Sequence, residues 1–240
     1  MGVQDFDPKV QKTIHREQSF EQTQAIVDGA RQLGFVSVNL DLVYGLPFQT
    51  PESFAATLDR FHELDPDRIA CYSYAHVPWM KKHQQVIPEE SLPQGAEKLA
   101  LYLQALDSFL GRDFAAIGMD HFARTSDELA VAATKGELHR NFMGYSTHPA
   151  EDMLSFGMSS ISEVDGAFSQ NFKDITAWES AVDAGTLPVD RGLLRSEEDE
   201  RRRRVILDLM CHFHLAFDTH GGAEKFYADY ATEMAELSGF

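Results

Sequence analysis

Residues 35–50 read FVSVNLDLVYGLPFQT, an alternating stretch that runs into a glycine and a proline before a threonine able to open a helix. Side chains along a strand point to opposite faces in turn, so Val36, Val38, Leu40 and Leu42 share one face and Ser37, Asn39 and Asp41 the other. RIACYSYAH at 68–76 repeats the pattern and is also followed by a proline. FAAIGM at 114–119 and GVQDF at 2–6 read as two more strands. Helical patterns lie between them at 19–33, 50–64 and 93–111. Ser19 with Gln22 resembles a capping box, whereas Thr50 with Ser53 offers a start signal only. Strand, helix, strand, helix predicts an α/β fold with a parallel sheet and crossover helices.

A parallel strand covered by helices on both sides reads apolar throughout, yet one face of the 35–44 stretch is polar. Two readings follow: the wet, ligand-holding lumen of a barrel, or an edge strand with a solvated face. Residues 171–184 and 196–217 are further helical patterns. Ser196 can cap the second, and Glu197, Glu198, Asp199 and Glu200 suit its positive end. Arg201, Arg202, Arg203 and Arg204 follow one turn later, which predicts a salt-bridged, solvated helix and not an anion site. His212 and His214, two residues apart on that pattern, point in different directions and read as structural. Residues 187–195 read as a linker, placing the start of a small helical domain near residue 190.

The chain of 240 residues is 43% hydrophobic and can bury a large core. Its net charge of −17 repels phosphate backbones and argues against nucleic acid as a partner, and any anionic substrate needs local Arg or Lys inside a cleft. No apolar run reaches the ~18 residues of a spanning helix, which together with the absence of a leader pattern predicts a soluble, cytoplasmic protein with no membrane partner. Cys71 and Cys211 lie far apart in sequence and read as ordinary buried thiols.

Six strings carry a resemblance: GVQDF at 2–6, HREQ at 15–18, NLDLVYGLPFQT at 39–50, YAHVPW at 74–79, GMDHFAR at 118–124 and LHRNF at 138–142. In order and spacing they resemble the oxygen-independent coproporphyrinogen III oxidases (coproporphyrinogen dehydrogenases), radical S-adenosylmethionine enzymes, over essentially the whole chain. DLVYGLP is shared by related radical enzymes; YAHVPW, GMDHFAR and HRNF are more specific, and the haem-chaperone relatives differ where this chain has YAHVP.

The resemblance implies that residues 1–189 form the rear part of a partial (β/α)6 TIM-like barrel with a substrate-cavity segment. Residues 190–240 would begin a small, mainly helical C-terminal domain. It implies oxidative decarboxylation of two propionates of coproporphyrinogen III to vinyls, giving protoporphyrinogen IX for haem, with S-adenosylmethionine and a [4Fe-4S] cluster as cofactors. A porphyrinogen substrate, an electron donor or acceptor and a monomeric enzyme are implied with it. Gln4, Arg16 and Asp41 match positions that hold S-adenosylmethionine, and Ala75 and Ile161 match further cofactor positions. Arg140, Phe142, His76, Asp120 and His121 are substrate-cavity candidates, and Met143 stands where relatives often carry Gln. Read without the family, Arg16 suits a surface ion pair and Gln4 a strand-end hydrogen bond.

The cluster of these enzymes needs a CxxxCxxC loop, which this sequence does not contain. The expectation is therefore a fragment lacking that N-terminal part and the C-terminal end, inactive alone, with no metal ligated by its own residues. Two alternatives are a non-catalytic haem- or porphyrin-binding relative, and a metal hydrolase built on His76, Asp120 and His121.

Overall fold

Asp7 accepts hydrogen bonds from the backbone N–H groups of Lys9 and Val10, and Pro8 has no N–H to satisfy, so a helix begins directly after the first strand. The computed structural model describes residues 1–150 and 152–238. They form two compact units, residues 1–134 and the described residues from 135 onward.

The first unit runs β1 (Gly2–Gln4), α1 (Pro8–Thr13), α2 (Phe20–Gln32), β2 (Asn39–Tyr44), α3 (Pro51–Glu63), β3 (Arg68–Ser73), α4 (Gly95–Leu110), β4 (Phe114–Gly118) and β5 (His121–Arg124), with α5 (Glu128–Lys135) at its end. The sheet order is β1-β2-β3-β5-β4. β1, β2 and β3 are parallel, as predicted, with Leu40 opposite Ile69 and Leu42 opposite Cys71. β5 was not foreseen: it lies antiparallel between β3 and β4, because Met119 takes a left-handed φ of 50° and turns GMDHFAR into a hairpin.

The helices cover one face. Phe20, Val27, Phe54, Leu58, Phe61, Leu101 and Phe109 pack with Val3, Leu40, Leu42, Ile69, Phe114 and Phe122 in one core. The Ser19–Gln22 capping box forms as predicted, and Thr50 with Ser53 also closes a reciprocal box, since a serine hydroxyl reaches the Thr50 N–H at 3.0 Å. The strand expected from residue 35 starts only at Asn39. The Phe35 N–H still bonds the Ala30 carbonyl at 3.1 Å around Gly34, at φ +86°, so the helix end consumes those residues and leaves Val36 95% exposed.

The second unit contains β6 (His139–Asn141), β7 (Gly144–Ser146), β8 (Ile161–Val164), β9 (Ala167–Asn171), α6 (Ile175–Asp183), β10 (Val189–Leu194), α7 (Glu197–His212), α8 (Ala223–Asp229) and α9 (Ala231–Leu237). β6 and β7 pair as a hairpin, and β10-β9-β8 form an antiparallel sheet. The expected linker at 187–195 is thus mostly a strand. Helix α7 ends at His212, short of residue 217, where Phe213 adopts φ 52° and its N–H bonds the Leu209 carbonyl. Ser196 caps it as predicted. Glu198 pairs with Arg201 and with Arg202, but Arg203 reaches Glu163 on β8 at 2.8 Å, so the arginine run is not neutralised wholly within the helix. Among the described residues no helix is long and apolar enough to cross a membrane.

Candidate functional site

Leu40 and Leu42 point into the core, so Asp41 between them points to the face that α2, α3 and α4 leave uncovered. On the neighbouring strand Gly2 lies opposite Asp41, and an irregularity before Gln4 shifts the register to Leu42. Gln4 takes a left-handed φ of 71°, unusual for a residue with a side chain, and its amide folds back over Gly2. A Cβ at Gly2 would stand 2.3 Å from Gln4 Nε2 and 3.1 Å from Arg16 Nη2, so only glycine leaves room for this arrangement. Arg16 Nη2 donates to the Gly2 carbonyl at 2.8 Å. Asn39 Nδ2 donates to Asp41 Oδ1 at 2.7 Å and orients the carboxylate.

Three of the expected cofactor residues, Gln4, Arg16 and Asp41, thus gather around Gly2 on one uncovered face of the first two strands. An amide able to donate and accept, a guanidinium fork and a carboxylate suit a ligand carrying hydroxyls, a carboxylate and a heterocycle. Gly2 was missed in the sequence, although its place directly before the GVQDF polar positions is a readable signal.

At the end of β3, Ala75 is exposed and its carbonyl accepts from Gln84 Nε2 at 3.1 Å. The Tyr74 and His76 rings meet at a tilt of 37° with centroids 6.2 Å apart, and Lys98 Nζ donates to the Tyr74 carbonyl at 2.7 Å. Burial lowers the Lys98 pKa. His121 Nδ1 lies 2.9 Å from Asp120 Oδ1, and its ring meets Tyr72 edge-on. Among the described residues no three His, Cys, Asp or Glu side chains converge on a metal position, so His76, Asp120 and His121 do not form the hydrolase cluster. Cys71 is buried on the helix-covered face, and burial pushes its thiol up to about 12, with Asp120 adding to the shift. Cys211, in the second unit, is also buried and raised by desolvation. Two inert thiols in separate units do not fit an iron–sulfur cluster.

In the second unit Arg140 lies on β6 over the Tyr145 ring at 4.7 Å, and its Nη1 is buried with no hydrogen bond among the described residues. Phe142 sits in the turn after β6, half exposed, edge-on to Phe168 at 5.2 Å. Both line a cavity of about 630 Å³ with Phe168, Leu193, Arg195 and Ile206. Ile161 opens β8 opposite Gln170. Met143 is 83% exposed.

No family model matches the sequence. Curated relatives do. The chain is 44% identical over 237 residues to the oxygen-independent coproporphyrinogen III oxidase of Pseudomonas aeruginosa, covering 99% of this chain and 51% of that protein. It is 46% identical over 230 residues to that of Helicobacter pylori strain J99, covering 95% and 50%. The chain spans about half the length of these relatives. Among solved structures it matches the Escherichia coli coproporphyrinogen III oxidase, described as a radical SAM enzyme, with a TM-score of 0.90 at 42% identity, over 99% of this chain and 55% of that one. Sequence and fold agree over nearly all of these 240 residues, which are similar to about half the length of the oxygen-independent coproporphyrinogen III oxidases.

Proposed function

We propose that this chain carries the S-adenosylmethionine-facing strands of an oxygen-independent coproporphyrinogen III oxidase. The reaction is the oxidative decarboxylation of two propionates to vinyls, yielding protoporphyrinogen IX. The observation that carries the reading is the grouping of Gln4, Arg16 and Asp41 around Gly2. Asp41 accepts hydrogen bonds from ribose hydroxyls, as carboxylates do in dinucleotide sites. Arg16 pairs with the methionine carboxylate, and Gln4 offers a donor and an acceptor beside it. Ala75 in the first unit and Ile161 in the second match further cofactor positions of the family. When bound, S-adenosylmethionine supplies the radical that takes hydrogen from a propionate carbon.

His76, Asp120 and His121 in the first unit, and Arg140 and Phe142 in the second, are substrate-cavity candidates, each described within its own unit. The chain's −17 charge opposes an anionic substrate at long range, so the guanidinium group of Arg140, whose Nη1 has no hydrogen bond among the described residues, supplies the local attraction. An electron donor or acceptor, a monomeric state, a cytoplasmic setting and a mainly helical C-terminal domain that starts after β10, the strand spanning residue 190, belong to the same reading. No step is assigned to Cys71 or Cys211. The names of the matched relatives favour this reading over a non-catalytic haem-binding relative.

Calorimetric titration of the chain with S-adenosylmethionine tests it. Saturable binding that weakens at least ten-fold in Asp41→Asn and in Arg16→Gln is expected. Absence of binding, or equal binding by both variants, would overturn it.

A further inference from the structure

Asp5 is completely buried, yet it is a carboxylate. Burial pushes its pKa up, opposed by hydrogen bonds from the Asp7 N–H, Thr57 and Gln49. Oδ1 accepts from the Asp7 N–H at 2.6 Å and from Thr57 Oγ1 at 2.8 Å; Oδ2 accepts from Gln49 Nε2 at 2.6 Å. A group this expensive to bury persists where its hydrogen bonds fix a geometry that apolar packing would not.

The bonds lead to three segments. Gln49 donates from Nε2 to the Val43 carbonyl at 3.1 Å and accepts at Oε1 from the Gly45 N–H at 2.7 Å and the Leu46 N–H at 3.3 Å. That fixes the chain directly after Asp41. Gln11 donates to the Asp5 carbonyl at 2.8 Å, and its own carbonyl accepts from the Arg16 N–H at 2.9 Å. That fixes the loop carrying Arg16. Gln4, held at its left-handed φ, is the residue before Asp5.

We infer that Asp5, through Gln49, is a positioning residue that sets the mutual geometry of Gln4, Arg16 and Asp41 without touching the ligand. The inference rests on the cofactor reading of those three residues. Its signature is a dependence on hydrogen-bond direction. In Asp5→Asn the new amide faces the Gln49 amide, donor against donor, and turning Gln49 over sets donors against the Gly45 and Leu46 N–H groups. Adding Gln49→Glu returns an acceptor to both contacts, with loss of the donor to the Val43 carbonyl.

The probe is S-adenosylhomocysteine, titrated calorimetrically into the 240-residue chain at a temperature where circular dichroism shows each variant folded. Asp5→Asn is expected to weaken binding at least ten-fold, and Asp5→Asn with Gln49→Glu to recover to within about five-fold of the parent. Gln49→Met, which deletes the bridge from the other side, serves where Asp5→Asn does not fold, and is expected to lose ten-fold as well. Phe109→Leu, a core change outside the network, is expected to stay within two-fold. Unchanged affinity in Asp5→Asn or Gln49→Met beside a loss in Asp41→Asn would overturn the positioning role and leave the cofactor reading standing. Equal losses in Phe109→Leu and Gln49→Met would overturn it as general loosening. Failure of the parent chain to bind would remove the cofactor reading and this inference together.

Discussion

The two units hold their shape by different means. Of the largest fully buried side chains among the described residues, Val3, Val10, Leu40, Leu42, Phe54, Phe61, Ile69 and Phe109 all lie in the first unit, and Leu138 alone represents the second. The second relies on a buried ion-pair group: Glu163 accepts from Arg195 at 2.7 Å and Arg203 at 2.8 Å, and Arg195 also pairs with Glu200. It leaves Phe156, Leu187 and Leu194 each at least 80% exposed. Hydrophobic burial is cumulative and tolerant, while a buried ion pair depends on each partner. The first unit is therefore built to hold side chains still, which is what a ligand-facing cluster needs.

That contrast can be broken at several points. Phe54→Ala empties a fully buried position in the first unit and should cost about 3–5 kcal/mol in urea denaturation. A loss near 1 kcal/mol would mean that the core is looser than drawn. Glu163→Gln removes the carboxylate that Arg195 and Arg203 share and leaves Arg195 with Glu200 alone, and a cost of roughly 3 kcal/mol, read as unfolding of the second unit, is expected. No change would show that the ion pairs are incidental.

A smaller effect is expected from pH. His62, packed against Phe109 and Phe114, has its pKa lowered to about 4, chiefly by desolvation and then by Arg112. The unfolded chain binds this proton near the ordinary 6.5. Stability from His62 is therefore complete above that value and is lost as pH falls from 6.5 to about 4. The full shift corresponds to about 3.4 kcal/mol, which solvent screening of this half-buried ring reduces to about 2–3 kcal/mol. His62→Leu should flatten the melting temperature across that window, and an unchanged slope would contradict the assignment. Least of all, Leu194→Ser on the exposed edge strand β10 should alter stability by no more than about 0.5 kcal/mol while reducing self-association in analytical ultracentrifugation.

Legibility in the sequence followed the same divide. Leu40 and Leu42 alternate with Asp41, so the strand, its core face and its polar face were readable from period two, while the choice between a barrel lumen and a solvated edge was not. The family strings carried Gln4, Arg16 and Asp41 to positions that lie together in the fold. What local pattern could not carry was tertiary: Asp5, Gln49 and Thr57 are far apart in sequence and meet only once β1, the loop after β2 and α3 have packed. Strand β10 was hidden because all of its residues are exposed and no apolar alternation marks it. The β8–β9 hairpin did carry a signal, Asp165-Gly166 with both φ values positive, the pair that a tight hairpin turn prefers.

The most direct test of the central claim is hydrogen exchange by mass spectrometry with and without S-adenosylmethionine. Slowed exchange in peptides covering residues 1–18 and 39–46, with residues 197–212 unaffected and the slowing abolished in Asp41→Asn, is the predicted result. No slowing at those strands, or slowing that survives Asp41→Asn, would contradict the placement of the cofactor on this face.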